Sequence, residues 1–488
     1  MDVLESSAGT SSDSGSGYKY FRETLGSPTR ILAPMVDQSE LAWRMLARRH
    51  GAQLCFTPML HAANVASDPT YRAENIRRAT LPTEGDRPLI VQFCANEPEQ
   101  LVEACRQAAP FCDGVDLNLG CPQQIARRGR YGAFLQDDWK LVFQLVNSVH
   151  KLVPIPISCK IRVFEDVQKT VDYAKMIEGA GCLMLTVHGR LREQKGPNTG
   201  LANWSTVAAV KKALSIPVIS NGNIQLYSDV ARCLESTGAD GVMSAEGHLH
   251  NPYIFDAVAA ERQTPPTNWE AALEYLDLVD AYPCPIAYTR AHLFRLFHHS
   301  FFVFPDLRHK LAKSNGMVSF REVVDVVKRR CQESHQQYMA DSSSIEGTGL
   351  LYPHWICQPN YRLSSTEEAL SRLTSAAEGD RLLKERQLFR KKRRDLLEEI
   401  GEQTGLSKKR LKKIDRKSTL DATSAAAVAE REQPKQRPAS KPKAPKYKPC
   451  RVCGNPLSAK CAFEQCRRCC RDTCMEKHQR CAGHNFAY

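Results

Sequence analysis

The sequence predicts an α/β chain built on a (β/α)8 TIM barrel, followed by a small helical domain, a basic helical or disordered tail and a C-terminal zinc-binding module. Three observations lead there. Over residues 29–262, eight short apolar or β-branched runs recur at intervals of roughly 23 to 43 residues, each followed by a polar turn and an amphipathic stretch. From Trp269 to Tyr338 the apolar spacing turns helical. From Arg381 onward 29 Lys and Arg stand against 12 Asp and Glu, a net of +17, which leaves the rest of the chain at −4.

The 488 residues exceed the ~100–200 typical of one domain, so several folded units are expected. Apolar residues make up 42% and charged residues 25%, and no run approaches the ~18 apolar residues of a membrane span. Membrane proteins and wholly disordered chains are therefore disfavoured, and no membrane partner is expected. The opening MDVLESSAGTSSDSGSG lacks the basic start and apolar middle of an export signal. Residues 1–28 read as a disordered leader, and the chain is expected in the cytoplasm, the nucleus or both.

The eight runs begin at Ile31 (ILAPM), Leu54 (LCFTPM), Leu89 (LIVQFCA), Gly114 (GVDLNLG), Ile157 (ISCKIRV), Cys182 (CLMLTVHG), Val218 (VISNGN) and Gly241 (GVMSAEG). Eight βα units close most readily into a barrel of ~250 residues. A doubly wound open sheet would place a GxGxxG turn after the first run, and none is present. Residues 263–345 read as the helical domain, 346–448 as a polar and basic helical or linker region, and 449–488 as the Cys/His-rich module.

Polar signals recur at the ends of the runs, the catalytic face of such a barrel. The sharpest is Asn118-Leu119-Gly120-Cys121-Pro122. An ordinary thiol, with a pKa of about 8.5, is mostly protonated near neutrality and can donate a proton. Lys160 and Arg162 in one run, and His188 and Arg190 in the next, point to an electron-rich ligand, because a cation inside an apolar strand is costly unless an anion faces it. Asn221-Gly222-Asn223 and Ala245-Glu246-Gly247 end the last two runs, where this fold often binds phosphate.

Eleven of nineteen cysteines are scattered singly over residues 1–380, and the other eight fall between Cys450 and Cys481. Cys450, Cys453, Cys461, Cys466, Cys469, Cys470, Cys474, His478, Cys481 and His484 offer ten candidate ligands, enough for two tetrahedral zinc ions with two to spare. The texture is similar to small RING-like zinc domains of plant transcription factors and to HIT-type fingers. It suits RNA or protein as a partner, and no stable protein partner is implied.

Taken in order, APM, NLGCP, CKIR, VHGR, NGN and SAEG resemble the flavin-dependent tRNA-dihydrouridine synthases across Arg30–Tyr338, and within them the eukaryotic branch acting on D-loop positions 16 and 17. The resemblance implies bound FMN, NADPH or NADH as reductant, and tRNA as substrate. It implies hydride transfer to C6 of uridine and a proton delivered to C5 by Cys121. Ala33, Pro34, Met35 and Gln92 would line the flavin, Lys160 and His188 contact its ring and phosphate side, and Asn221, Gly222, Asn223, Ala245 and Glu246 bind its phosphate end. Asn118 and Arg190 would orient the uracil. The basic tail and helical-domain cations (Arg290, Arg295, His298, His299, Arg308, Lys310) would grip the RNA. Two other readings stay open: an FMN barrel reducing a small pyrimidine of the dihydroorotate or dihydropyrimidine type, and a non-catalytic RNA-binding scaffold.

Overall fold

The computed structural model describes residues 15–340 apart from 82, 197–198 and 263–264, then 350 and 352–360. In a separate unit, Glu430–Tyr488, it describes 448, 450–453, 461–466, 469–470, 473–474 and 481. The basic stretch from Arg381 to 447 therefore lies outside the described residues, as do His478 and His484.

Runs rich in Val, Ile and Leu, bounded by Gly and Pro, form strands buried on both faces, the mark of a parallel sheet under helices. In chain order these are β1 (Arg30–Leu32), β2 (Leu54–Phe56), β3 (Leu60–His61), β4 (Leu89–Cys94), β5 (Gly114–Leu119), β6 (Ile157–Arg162), β7 (Met184–His188), β8 (Val218–Asn221) and β9 (Gly241–Ser244). Every pairing is parallel. β1 pairs with β2 and β9, and β2 pairs with β4, so eight strands close into the expected barrel. The second run splits because Pro58 has no N–H to give the ladder. The Thr57 hydroxyl takes over there, accepting from the Gln92 amide at 3.2 Å, and β3 resumes pairing with β4.

Helices cover the outside, with starts set by local capping. Asp138, Asp166 and Asn203 accept backbone N–H groups at the heads of Trp139–Leu152, Val167–Gly179 and Trp204–Ala213. Their apolar faces join the strands in one large core that includes Val146, Ile161, Ile177 and Val210.

Two expected boundaries are corrected. Residues 15–28, expected in a disordered leader, fold into a short helix, Ser16–Lys19, and a wide turn, Tyr20–Thr24. Tyr20, Phe21 and Leu25 pack with Ile31, Phe56, Ile90, Met184, Ile219 and Met243 in the barrel interior. Tyr18 donates to Asp240 at 3.1 Å beside β9, so this segment covers the N-terminal ends of the strands. A Ser/Gly-rich opening hid aromatic residues that have a core to enter.

The second correction concerns the end of the helical domain. Its main helices are Asn268–Ala281, Ile286–Leu296, Pro305–Lys313 and Met317–Ala340. Trp355, Ile356 and Cys357, expected in the polar linker, are buried in the same core, and Ile356 bridges Thr267 in antiparallel fashion. This layer packs against the barrel helix Leu41–Arg49. Trp43 stacks on His292 with centroids 4.0 Å apart, and Glu40 accepts from Tyr275 Oη at 2.7 Å and contacts His292 Nε2 at 3.0 Å. Burial alone would raise the Glu40 carboxyl, but His292 and the hydrogen bonds hold it below its ordinary value. Among the described residues no helix is long and apolar enough to cross a membrane.

Candidate active site

Strand register brings the polar residues of the barrel mouth together. Gln92 pairs with Asp116 and Asp116 with Ser158, Asn118 pairs with Lys160, and Arg162 pairs with His188 and His188 with Asn221. Alternation along each strand turns all of these to one face.

A chain of hydrogen bonds positions the Cys121 turn. Ser158 Oγ and Gln92 Nε2 donate to the two oxygens of Asp116, at 2.7 and 2.8 Å. Asn118 Nδ2 donates to Gln92 Oε1 at 2.9 Å. Asn118 Oδ1 in turn accepts the backbone N–H groups of Gly120 and Cys121, at 3.1 and 2.9 Å. An ionised carboxylate only accepts, so Asp116 dictates which way both amides point. Burial pushes Asp116 up to about 6, against the bonds from Gln92 and Ser158 and the nearby Lys160. Gly132 has φ +67°, and a Cβ there would lie 2.8 Å from the Cys121 carbonyl oxygen, so only glycine lets the next loop seat against the thiol. Cys121 itself is half-buried, packed with Cys94, Tyr131, Met59 and Phe134.

Beside this turn stands a group of cations. Lys160 Nζ donates to Asn221 Oδ1 at 2.7 Å, and Asn221 Nδ2 is tied to the Met243 carbonyl at 2.8 Å. Arg162 donates to the carbonyls of Gly120 and Leu191, at 2.8 and 2.7 Å. Burial, then Arg162, pushes Lys160 down to about 7, with Asp116 pulling the other way. Burial and the three neighbouring cations hold His188 well below its ordinary value, so it is neutral. Arg190 can only donate, so its 2.9 Å contact makes His188 Nε2 the acceptor and places the imidazole proton on Nδ1.

The remaining bonds of Arg190 hold the loops after β7 and β8. It donates to Gly200 O at 3.1 Å and Asn223 Oδ1 at 2.9 Å. Gly222 has φ +112°, and a Cβ there would come within 2.6 Å of Ala202 Cβ. The loops after β1 and β9 lie together, Ala33 N donating to Ser244 O at 2.9 Å, and Met35 N bonds Ser39 Oγ at 3.0 Å. Glu246, with Ala245 before it, starts a short helix and pairs with Arg295 of the helical domain at 3.3 Å.

The structure thus joins Gln92, Asn118, Cys121, Lys160, His188, Arg190, Asn221 and Asn223 at one end of the barrel, with Ala33–Met35, Ala245 and Glu246 on neighbouring loops. Lys160, Arg162 and Arg190 lie close together there, with the buried carboxylate of Asp116 beside Lys160, and that donor set fits an anionic cofactor such as FMN. Sequence reading passed over Asp116, Ser158 and Gly132. The period-2 spacing in VDLNLG and ISCKIR, which puts Asp116 on the Asn118 face and Ser158 on the Lys160 face, was the available signal. Of the expected RNA-gripping cations, His299 is buried and bonds Pro359 O at 3.2 Å, and Arg290 donates to Ser314 O at 2.7 Å, so both have internal roles.

In the C-terminal unit two groups of thiols assemble. The sulfurs of Cys450, Cys453, Cys466 and Cys469 lie within 4.8 Å of one another, and so do those of Cys461, Cys470 and Cys481. Cys474 Sγ lies 3.9 Å from Cys470 Sγ.

The dihydrouridine synthase (Dus) family model matches residues 31–343. A mouse protein named tRNA-dihydrouridine(16/17) synthase [NAD(P)(+)]-like is 46% identical over 474 residues, covering 97% of this chain and 90% of the mouse protein. The tRNA-dihydrouridine(16/17) synthase [NAD(P)(+)] of Saccharomyces cerevisiae is 42% identical over 365 residues, 70% of this chain and 85% of its own length. The human tRNA-dihydrouridine(20a/20b) synthase [NAD(P)+]-like protein is 37% identical over 263 residues, 53% of this chain and 80% of its own. With its barrel and the main helices after it matched by one family model, and nearly all of its length by the mouse relative, the chain belongs to the dihydrouridine synthase family.

Proposed function

We propose that this protein reduces the C5=C6 bond of uridine in the D-loop of tRNA, at positions 16 and 17, with NADPH or NADH as reductant and Cys121 as the acid that protonates C5. FMN, bound at the barrel mouth, supplies the hydride to C6 in this reading. Lys160 Nζ and His188 Nδ1–H are the side-chain donors that would hold it, with Ala33–Met35 and Gln92 lining it and the loops at Asn221–Asn223 and Ala245–Glu246 enclosing its phosphate end. Asn118, which also holds the Cys121 turn in place, and Arg190 would orient the uracil. The target uridine must leave its stack, at a cost of a few kcal/mol, which binding of the folded RNA offsets. Zinc in the C-terminal thiol groups has a structural role.

The observation that carries this reading is the placement of Cys121 on a turn fixed by Asn118 and Arg162, next to the cation group that an anionic cofactor would neutralise. The visible spectrum of the purified protein tests it. Flavin absorption should bleach with NADPH and recover on adding tRNA lacking dihydrouridine. Recovery with a free pyrimidine but not with tRNA would favour a small-molecule oxidoreductase, and a protein that never carries flavin would overturn both.

A further inference from the structure

We propose that the C-terminal module is an interleaved two-zinc centre in which Cys450, Cys453, Cys466 and Cys469 hold one ion and Cys461, Cys470, Cys474 and Cys481 hold the other. The distances point to metal rather than disulfides. Zn–S bonds of about 2.3 Å arranged tetrahedrally put neighbouring sulfurs about 3.8 Å apart, whereas a disulfide needs about 2.05 Å. Cys453 and Cys466 are 3.5 Å apart, Cys461 and Cys481 3.9 Å, and Cys470 and Cys474 3.9 Å. Each pair therefore spans one edge of a zinc tetrahedron. The last edge joins Cys474 to the group of three through Cys470, which makes it the fourth ligand in this assignment.

Burial supports the same assignment. Among the described residues of this unit, Cys461, Cys470, Cys474 and Cys481 form the buried cluster, with Phe463 packed against it. Thiols thus stand where a larger domain would place Leu and Val, and a module of this size needs such a staple to fold. Cys469 and Cys470 are adjacent in sequence yet belong to different groups, so this dipeptide ties the two ions together. Cys461 lies between the two pairs of the first site, which makes the pairing interleaved rather than sequential. Two tetrathiolate zinc sites carry a formal charge of about −4. In the sequence, Arg451, Lys460, Arg467, Arg468 and Arg471 are spread among the ligands.

Zinc content of the full-length chain and two double variants tests the pairing. The unaltered protein should hold about two equivalents. Interleaving predicts that C450S/C469S retains about one equivalent and C450S/C461S about none. Sequential pairing, with Cys461 in the first site and Cys469 in the second, predicts the reverse. If C450S/C469S retains no more zinc than C450S/C461S, or the unaltered chain holds fewer than two equivalents, the assignment is wrong. The zinc K-edge absorption of the unaltered protein should show an all-sulfur shell, and a nitrogen shell would remove Cys474 in favour of a histidine.

Discussion

The state of Lys160 should depend on what occupies the barrel mouth. Without a ligand, burial and the neighbouring guanidinium of Arg162 push it down from its ordinary 10.5 to about 7. A cofactor that brings negative charge to Nζ raises the value again. Binding then takes up a proton at any pH between the free and bound values. Affinity is therefore full below about pH 7 and falls as pH rises, approaching tenfold in Kd per unit. For a bound value restored above 10, the dissociation constant of FMN for the cofactor-free protein should weaken about 50-fold between pH 7 and 9. Asp116, pushed up to about 6, titrates below that window.

Fluorescence quenching of FMN across a pH series is a suitable assay. Lys160→Met should bind more weakly at pH 7 by the loss of a charged hydrogen bond, about 1.5–3 kcal/mol, and its profile should be flat from pH 7 to 9. A flat profile in the unaltered protein, or a slope that survives in Lys160→Met, would refute the reasoning.

Cys121→Ala should still be bleached by NADPH, while reoxidation by tRNA slows by about 10²–10⁴, the usual contribution of a positioned acid; full turnover would exclude the thiol from the reaction. Gly132→Ala forces a side chain onto the Cys121 carbonyl and should lower turnover while flavin content is kept, so unchanged turnover would show that the turn tolerates displacement. His292→Ala leaves the buried Glu40 with Tyr275 alone and should cost about 3–5 kcal/mol in denaturant unfolding. Adding Glu40→Gln should recover much of that loss, and no recovery would mean that Trp43 packing rather than charge is responsible. Removing everything from Arg381 should flatten the dependence of tRNA affinity on salt, because each lost phosphate contact takes about 0.7–0.9 from the logarithmic slope; an unchanged slope would place the RNA grip elsewhere.

The barrel was legible in the sequence because parallel strands buried on both faces must be nearly continuous apolar runs. Gly, Pro and Asn punctuate them wherever the chain leaves the sheet. The site was legible for a related reason: its residues sit within a few positions of strand ends, so one-dimensional spacing already sets their neighbourhood. What escaped reading depends on contacts between distant parts of the chain. Glu40 meets His292 across 252 positions, and no local pattern marks either as a partner. Tyr20 enters the barrel, and Trp355 returns to the helical layer, from segments whose composition is polar around them. Asp116 was hidden differently. Its run looked apolar enough to be a plain strand, and the role of the carboxylate appears only when Gln92 and Ser158 arrive on adjacent strands.

One strand couples the two halves of the proposed chemistry. Lys160 and Arg162 are two positions apart on β6 and face the same way, separated by about 6.6 Å of extended backbone. Lys160 reaches across to Asn221, on the side where an anionic cofactor would sit. Arg162 holds the carbonyl of Gly120, next to the thiol, and the Leu191 carbonyl in the loop after β7. Its own carbonyl accepts from Gln136, in the helical turn Gly132–Asp137 between β5 and β6, at 2.8 Å. The spacing between the Cys121 turn and Lys160 is thus governed by a hydrogen-bonded strand rather than by two independent loops. A substitution such as Arg162→Met would free the Gly120 and Leu191 carbonyls and leave the Lys160–Asn221 bond in place. Reoxidation by tRNA should then slow while flavin is retained, and loss of flavin would show that Arg162 serves the cofactor side as well.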